Sequence, residues 1–189
     1  VPFALPFGGL TLAALIVGLG ACSSPAPPTF DLSAPTIGRV AKSRGQLAVS
    51  EPVAVQTLNS QQIVVRDAAG AVSALSGAQW GDRLPALVQT RLIQAFENAG
   101  RLGQVGRPGD GTIAAFQLAT ELRQFQVRGA TSDAVVEIAA RVINAATGQV
   151  VASRIFSARV SIAKITGPAA AVALDQALGD VLAQIVRWA

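Results

Sequence analysis

The stretch TIAAFQLATELRQFQVR, residues 112–128, alternates with a period of two through its first half, so that Phe116, Leu118, Thr120 and Leu122 fall on one side of an extended chain. Phe125 and Val127 then arrive one position late. One extra residue near Arg123 or Gln124 returns both to the same side, so the spacing predicts a long strand with a β-bulge there. Two further alternating runs follow. AVVEIAARVIN (134–144) places Val136, Ile138, Ala140 and Val142 inward and Glu137 and Arg141 outward. QVVASRIFSARVSI (149–162) returns across the NAATG turn, which makes a three-stranded meander.

Helical spacing flanks the meander. In WGDRLPALVQTRLIQAFENAG (80–100), Leu84, Leu87, Val88, Leu92, Ala95, Phe96 and Ala99 form one apolar stripe. Asp82 is placed as its N-cap, Pro85 in its first turn and Gly100 as its C-cap. After the meander, Gly167 and Pro168 start a second helix with the stripe Leu174, Leu178, Val181, Leu182 and Ile185. Upstream, LAVSEPVAV (47–55) alternates around Pro52 and reads as an edge strand or one with an irregular exit. QIVVR (62–66) and AVSAL (71–75), joined by DAAG, read as a hairpin. The expected fold class is therefore α/β (α+β), with two amphipathic helices packed on one face of a mixed, mainly antiparallel sheet.

The expected organisation is a leader at residues 1–21, a Pro/Ser-rich tether at 22–45 and a single domain at 46–189. Within the tether, TFDL (29–32) has the pattern of a short edge strand, which would leave only a few residues free. Residues 1–21 carry no charge, and LTLAALIVGLG (10–20) has the length of a signal-peptide apolar region rather than a membrane span. No basic segment precedes it and the chain opens on Val, which fits a start upstream or at an alternative codon.

Cys22, the single cysteine, follows that run. A core thiol does not belong between a Gly-rich exit and SSPAPP, a catalytic thiol lacks any His to activate it, and a disulfide lacks its second cysteine. A metal site needs several ligands. The tetrad Leu19, Gly20, Ala21, Cys22 resembles the bacterial lipobox. That resemblance implies recognition of Leu19, Gly20 and Ala21 by a signal peptidase, with diacylglyceryl and N-acyl (palmitate-type) chains on Cys22. A plain signal anchor is the alternative. One acyl chain holds a protein only marginally, whereas several hold it permanently. By resemblance to lipoprotein sorting signals, Ser23 in place of Asp implies the outer membrane, facing the periplasm, rather than the inner membrane.

Charge excludes little but weighs against nucleic acid. Fifteen basic residues against eleven acidic give only +4, and the arginines are scattered. No phosphate-loop, dinucleotide or nucleophile-elbow motif occurs, and GRPGDG (106–111) reads as a loop. Asp133 and Glu137 share a strand face but stand about 13 Å apart along it, too far for a catalytic dyad. No metal or other cofactor is expected, and no enzyme activity. Trp80 and Trp188 either cap the core at helix ends, or one of them anchors a partner. The candidate partner surface is Trp80, Asp82 and Arg83. A groove between helices and sheet beside Ala169, Ala170, Ala171 and Ala177 is a further candidate, as a place for a lipid.

Read in order, QIVVR, the Trp80-x-Asp82-Arg83-Leu84-Pro85 run with Phe96, Glu97 and Gly100, FQLATELRQFQV, ARVINAATGQVVASRIFSA and the terminal ALGDVLAQIVRW resemble the ABC-type transport auxiliary lipoprotein family. The resemblance implies a non-enzymatic lipoprotein component of an envelope lipid-transport system. It would dock that system at the outer membrane and work with an MCE-domain periplasmic protein and an ABC permease and ATPase. The alternative is a freestanding envelope assembly or binding lipoprotein whose client is secretion or lipopolysaccharide-assembly machinery.

Overall fold

The computed structural model describes residues 26–38, 45–100, 103–111 and 113–189. In chain order these form β1 Thr29–Phe30, β2 Gln46–Val49, β3 Val53–Ala54, β4 Gln62–Arg66, β5 Val72–Trp80, α1 Leu84–Ala99, β6 Gln104–Gly106, β7 Phe116–Arg128, β8 Asp133–Asn144, β9 Val150–Ser161 and α2 Gly167–Trp188. All nine strands belong to one sheet.

The long alternating stretch is the spine of that sheet. One edge of β7 carries an antiparallel ladder with β8 along its whole length, and β8 in turn pairs antiparallel with β9. The β7 register slips between Leu122 and Gln124, at the position where the alternation breaks in sequence. The slip does what the pattern required: Leu118, Leu122, Phe125 and Val127 are all buried. The opposite edge of β7 is tiled by three short parallel strands. β2 lies beside Leu47↔Phe116 to Val49↔Leu118, β3 beside Glu121 and Leu122, and β4 beside Gln126 to Arg128.

The sheet is thus mixed in a way the sequence did not announce. Five of its eight pairings among the described residues are parallel, although the two longest ladders are antiparallel. β2 is also not an edge: it is bonded to β6 on one side and β7 on the other. The irregular exit does occur, at Ser50–Pro52, because Pro52 has no N–H to give to the ladder.

The β4–β5 hairpin closes through Asp67, whose backbone N–H donates to the Ala71 carbonyl (3.0 Å) and whose Oδ1 accepts from the Ala71 N–H (2.8 Å). β5 runs on past Leu75 as far as Trp80. Its path bends at Gly77 (φ 75), a backbone conformation that other residues adopt at a cost. β1 pairs parallel with the end of β5, so the strand-like TFDL segment does form an edge.

Both helices begin and end close to where their spacing places them. α1 keeps Pro85 in its first turn and ends at Gly100 in the left-handed region (φ 60). Its N-cap is Arg83, with no side-chain cap; Asp82 instead accepts from the N–H of Arg83 at 2.6 Å. α2 is capped by Thr166, whose hydroxyl accepts from the Ala169 N–H. α2 packs on β4, β5, β7, β8 and β9, while α1 packs on α2, β2 and β6. The stripes of both helices enter one buried cluster with Val136, Ile138 and Ala140 of β8. α2 is long and apolar enough to cross a bilayer by length and composition, but its apolar stripe is spent inside this core.

Candidate functional site

Residues 29–37 form a strap across the helices. Phe30 and Leu32 alternate with Asp31 and Ser33, so the apolar pair faces the protein and the polar pair reaches sideways. Leu32 and Ile37 are buried in the core cluster. Asp31 accepts from Arg91 of α1 at 2.5 Å, and the Asp175 carboxylate of α2 accepts from both the N–H and the hydroxyl of Ser33, each at 2.6 Å. Burial pushes the Asp31 carboxyl up, but its hydrogen bonds from Arg91 and the Leu32 N–H, with the Arg91 charge, outweigh that and hold it below its ordinary value. The signal for these pairs was present in the Phe-Asp-Leu-Ser alternation, masked by the surrounding prolines.

At the start of α1 the three residues expected to share a partner surface separate. Trp80 is wholly buried, its ring edge-on to Phe125 at 5.8 Å between centroids, and offers no surface to a partner. It caps the core from a strand end rather than a helix end. Asp82 and Arg83 are exposed. Arg83 is fixed by Glu51 (2.8 Å) and Asn59 (2.7 Å), so its guanidinium is held in one place on the surface. Trp188 is half-buried at the end of α2, edge-on to Phe156 at 5.3 Å. Cys22, with Leu19, Gly20 and Ala21, lies outside the described residues.

The outward face of the sheet carries a polar network that sequence reasoning did not assemble. The Arg66 Nε donates to the buried Gln126 (3.4 Å), Gln126 donates to Gln124 (3.4 Å), and Arg128 donates to the same Gln124 oxygen (2.9 Å). Gln124 donates in turn to Glu137 at 3.3 Å. Farther along, Arg123 and Arg141 both approach Glu121, at 3.9 and 3.8 Å. Only the Arg66–Gln126 link crosses a parallel pairing, which leaves no mark in the local sequence; Gln124–Glu137 and Arg141–Glu121 cross the antiparallel β7–β8 ladder, and the other links run along β7.

Space for a small molecule lies at the two ends of α2. Ala170, Ala171 and Ala177 are buried in close packing, but Ala169 lines a shallow hollow of about 380 Å³ between the end of β9 and the start of α2, with Val160, Ile162, Val172 and Ala173, so part of the expected groove is present. A second cavity, of about 240 Å³, lies at the far end of α2, between Leu47, Phe116, Val142, Val151 and Trp188. The first is within the about 300–1,000 Å³ of ordinary small-molecule sites but lies open to solvent, and the second falls short of that range. Among the described residues no group of three or more His, Cys, Asp or Glu converges. The Asp31 carboxyl, held below its ordinary value, serves a structural pair.

A family model described as the ABC-type transport auxiliary lipoprotein component matches residues 29–186. The protein bll6063 of Bradyrhizobium diazoefficiens is 34% identical over 167 residues, covering 85% of this chain and 44% of its own length. The chain therefore spans less than half of that relative. The crystal structure of protein XCC0632 from Xanthomonas campestris, assigned to family DUF330, superposes with a TM-score of 0.79 at 25% identity, covering 85% of this chain and 93% of that one. A second crystal structure, at 15% identity and a TM-score of 0.67 over 85% of this chain and 96% of its own, shares the fold.

Proposed function

The chain belongs to the ABC-type transport auxiliary lipoprotein family, and on that premise we propose that it is a non-enzymatic, lipid-anchored subunit of an envelope lipid-transport system. Cys22 carries the diacylglyceryl and N-acyl chains, Leu19 to Ala21 form the signal-peptidase recognition run, and the protein sits at the periplasmic face of the outer membrane. Its partners are an MCE-domain periplasmic protein and, through it, an ABC permease and ATPase. The observation that carries this reading is the family match running from the strap to the last turn of α2, immediately downstream of the LGAC tetrad.

The architecture supports an adaptor role. The core is closely packed, and the surface offers two rigid features. One is Arg83, clamped by Glu51 and Asn59 beside Asp82. The other is β9, which among the described residues is an edge strand paired with β8 alone, with Ile155 52% exposed. In the Bradyrhizobium relative the same module is part of a chain more than twice as long, which fits a component that works beside other domains.

The test is purification of the tagged full-length protein from its native membranes with mild crosslinking. An MCE-domain protein in the complex supports the reading, and Arg83→Glu reduces its recovery. Recovery of secretion or lipopolysaccharide-assembly proteins in its place overturns it.

A further inference from the structure

The direction in which the chain leaves β1 orients the whole domain. β1 pairs parallel with β5 through Thr29↔Gln79, and the Gln79 N–H donates to the Pro28 carbonyl at 3.0 Å. Residues 26–28 therefore run back along β5 toward its start. Pro27 is already on that path, lining a hollow with Leu75, Ser76 and Gly77. The start of β5 is one end of the sheet. Val72 pairs there with Arg66, Arg66 with Arg128, and Arg128 with Asp133.

The distances are short. Gln79 is level with Gln62, so the Thr29 level lies four residues of β4, about 13 Å, from the Arg66–Arg128 level. Cys22 precedes Thr29 by seven residues, at most about 23 Å of extended chain. A chain extended along that path would carry a lipid on Cys22 about 10 Å past this end of the sheet, and a shorter path would bring it nearer.

The same end is basic where it meets solvent. Arg66 and Arg128 are cross-strand neighbours, an arrangement that repels. Each is held only by glutamine oxygens, and neither has a carboxylate within ion-pair distance among the described residues. Arg159 and Lys164 belong to the same end and are exposed. Its two carboxylates are occupied locally: Asp67 closes its turn and Asp133 accepts from the Ser161 hydroxyl at 3.2 Å. Four cations against two carboxylates leave a surplus matched to a negatively charged surface.

We propose that the anchored protein stands on this end of its sheet, with Arg66 and Arg128 against the phosphates of anionic lipid headgroups and the turn at 145–148 pointing away from the membrane. This rests on lipidation of Cys22, and the experiment separates the two ideas. The lipoprotein, purified from membranes, is reconstituted into vesicles of phosphatidylethanolamine and phosphatidylglycerol bearing a headgroup acceptor dye. A donor dye is placed by maleimide at Thr131→Cys or, some 40 Å away along β8, at Ala146→Cys. Uptake of dye by the parent chain shows a free Cys22 thiol, which overturns the anchor and the orientation with it. With the thiol blocked, transfer strong at 131 and weak at 146 is the expected result. Equal transfer, or the reverse order, overturns the orientation and leaves the anchor standing. Arg66→Glu with Arg128→Glu, and the milder Arg66→Gln with Arg128→Gln, lower transfer at 131 about twofold or more in phosphatidylglycerol vesicles and not in phosphatidylcholine ones. Transfer unchanged by both pairs overturns the headgroup contact.

Discussion

Gly167, the first residue of α2, rests directly on the backbone of Gly77 in β5: a methyl group at 167 would stand 2.7 Å from the Ala78 Cβ and closer still to the Gly77 carbonyl. The two glycines are required for different reasons. Position 167 has no room, whereas position 77 has open space but a positive φ of 75. Gly167→Ala must lift the helix start off the sheet, at a cost of about 1–3 kcal/mol. Gly77→Ala costs about 1–2 kcal/mol through its backbone. Urea denaturation of both single variants and the pair checks this, and the pair falls short of the sum because both loosen one contact.

The Asp31–Arg91 pair gives the domain an acid limb. Because the folded carboxyl lies below its ordinary 3.8, the pair's contribution is whole above that value and is lost as pH falls through the lowered one. The Asp31 side chain is 63% exposed, so screening limits the effect to under about 1 kcal/mol. Asp31→Asn removes that part of the acid sensitivity while leaving the midpoint at neutral pH within that margin. Thermal melts from about pH 2 to pH 7 read the difference.

Local pattern carried the elements, and tertiary geometry carried the rest. The β7 bulge was legible because Leu122 and Phe125 cannot share a face without it. Both helices were legible because their stripes run uninterrupted. The end of β5 was hidden by Ser76 and Gly77, which look like loop residues, and so Trp80 was credited to the helix beside it. The parallel tiling of β7 by β2, β3 and β4 was not legible, since each is too short to specify a neighbour. The Arg66–Arg128 juxtaposition follows from that tiling and shared its invisibility. Asp82 failed as a cap because its carboxylate turns to the adjacent N–H of Arg83.

The two tryptophans report different environments. Trp80 is wholly buried and Trp188 half-buried, so acrylamide quenches the chain heterogeneously, and Trp80→Phe leaves the more accessible component. The Trp80 indole N–H has no hydrogen-bond partner, so Phe sacrifices packing volume and no hydrogen bond. Trp80→Ala removes the Phe125 contact as well and costs about 3–5 kcal/mol. A Trp80→Ala protein as stable as the parent would mean the ring is not in the core.

The strap transmits whatever force the N-terminal segment bears to both helices, and its grip is divided between one apolar anchor and one carboxylate. Leu32 is buried, so Leu32→Ala costs about 2–5 kcal/mol. Asp175 holds Ser33 by two short bonds at an exposed site, where each hydrogen bond to a charged group contributes at most about 1.5–3 kcal/mol and water competes for both. Asp175→Asn therefore leaves global stability nearly unchanged but frees the Ser33 region locally. Native-state hydrogen exchange separates the two effects. Leu32→Ala accelerates exchange throughout the sheet, whereas Asp175→Asn accelerates it about tenfold, the equivalent of about 1.4 kcal/mol, at Leu32 and Ser33 alone. Uniform acceleration in both variants would show that the strap opens only with the whole domain.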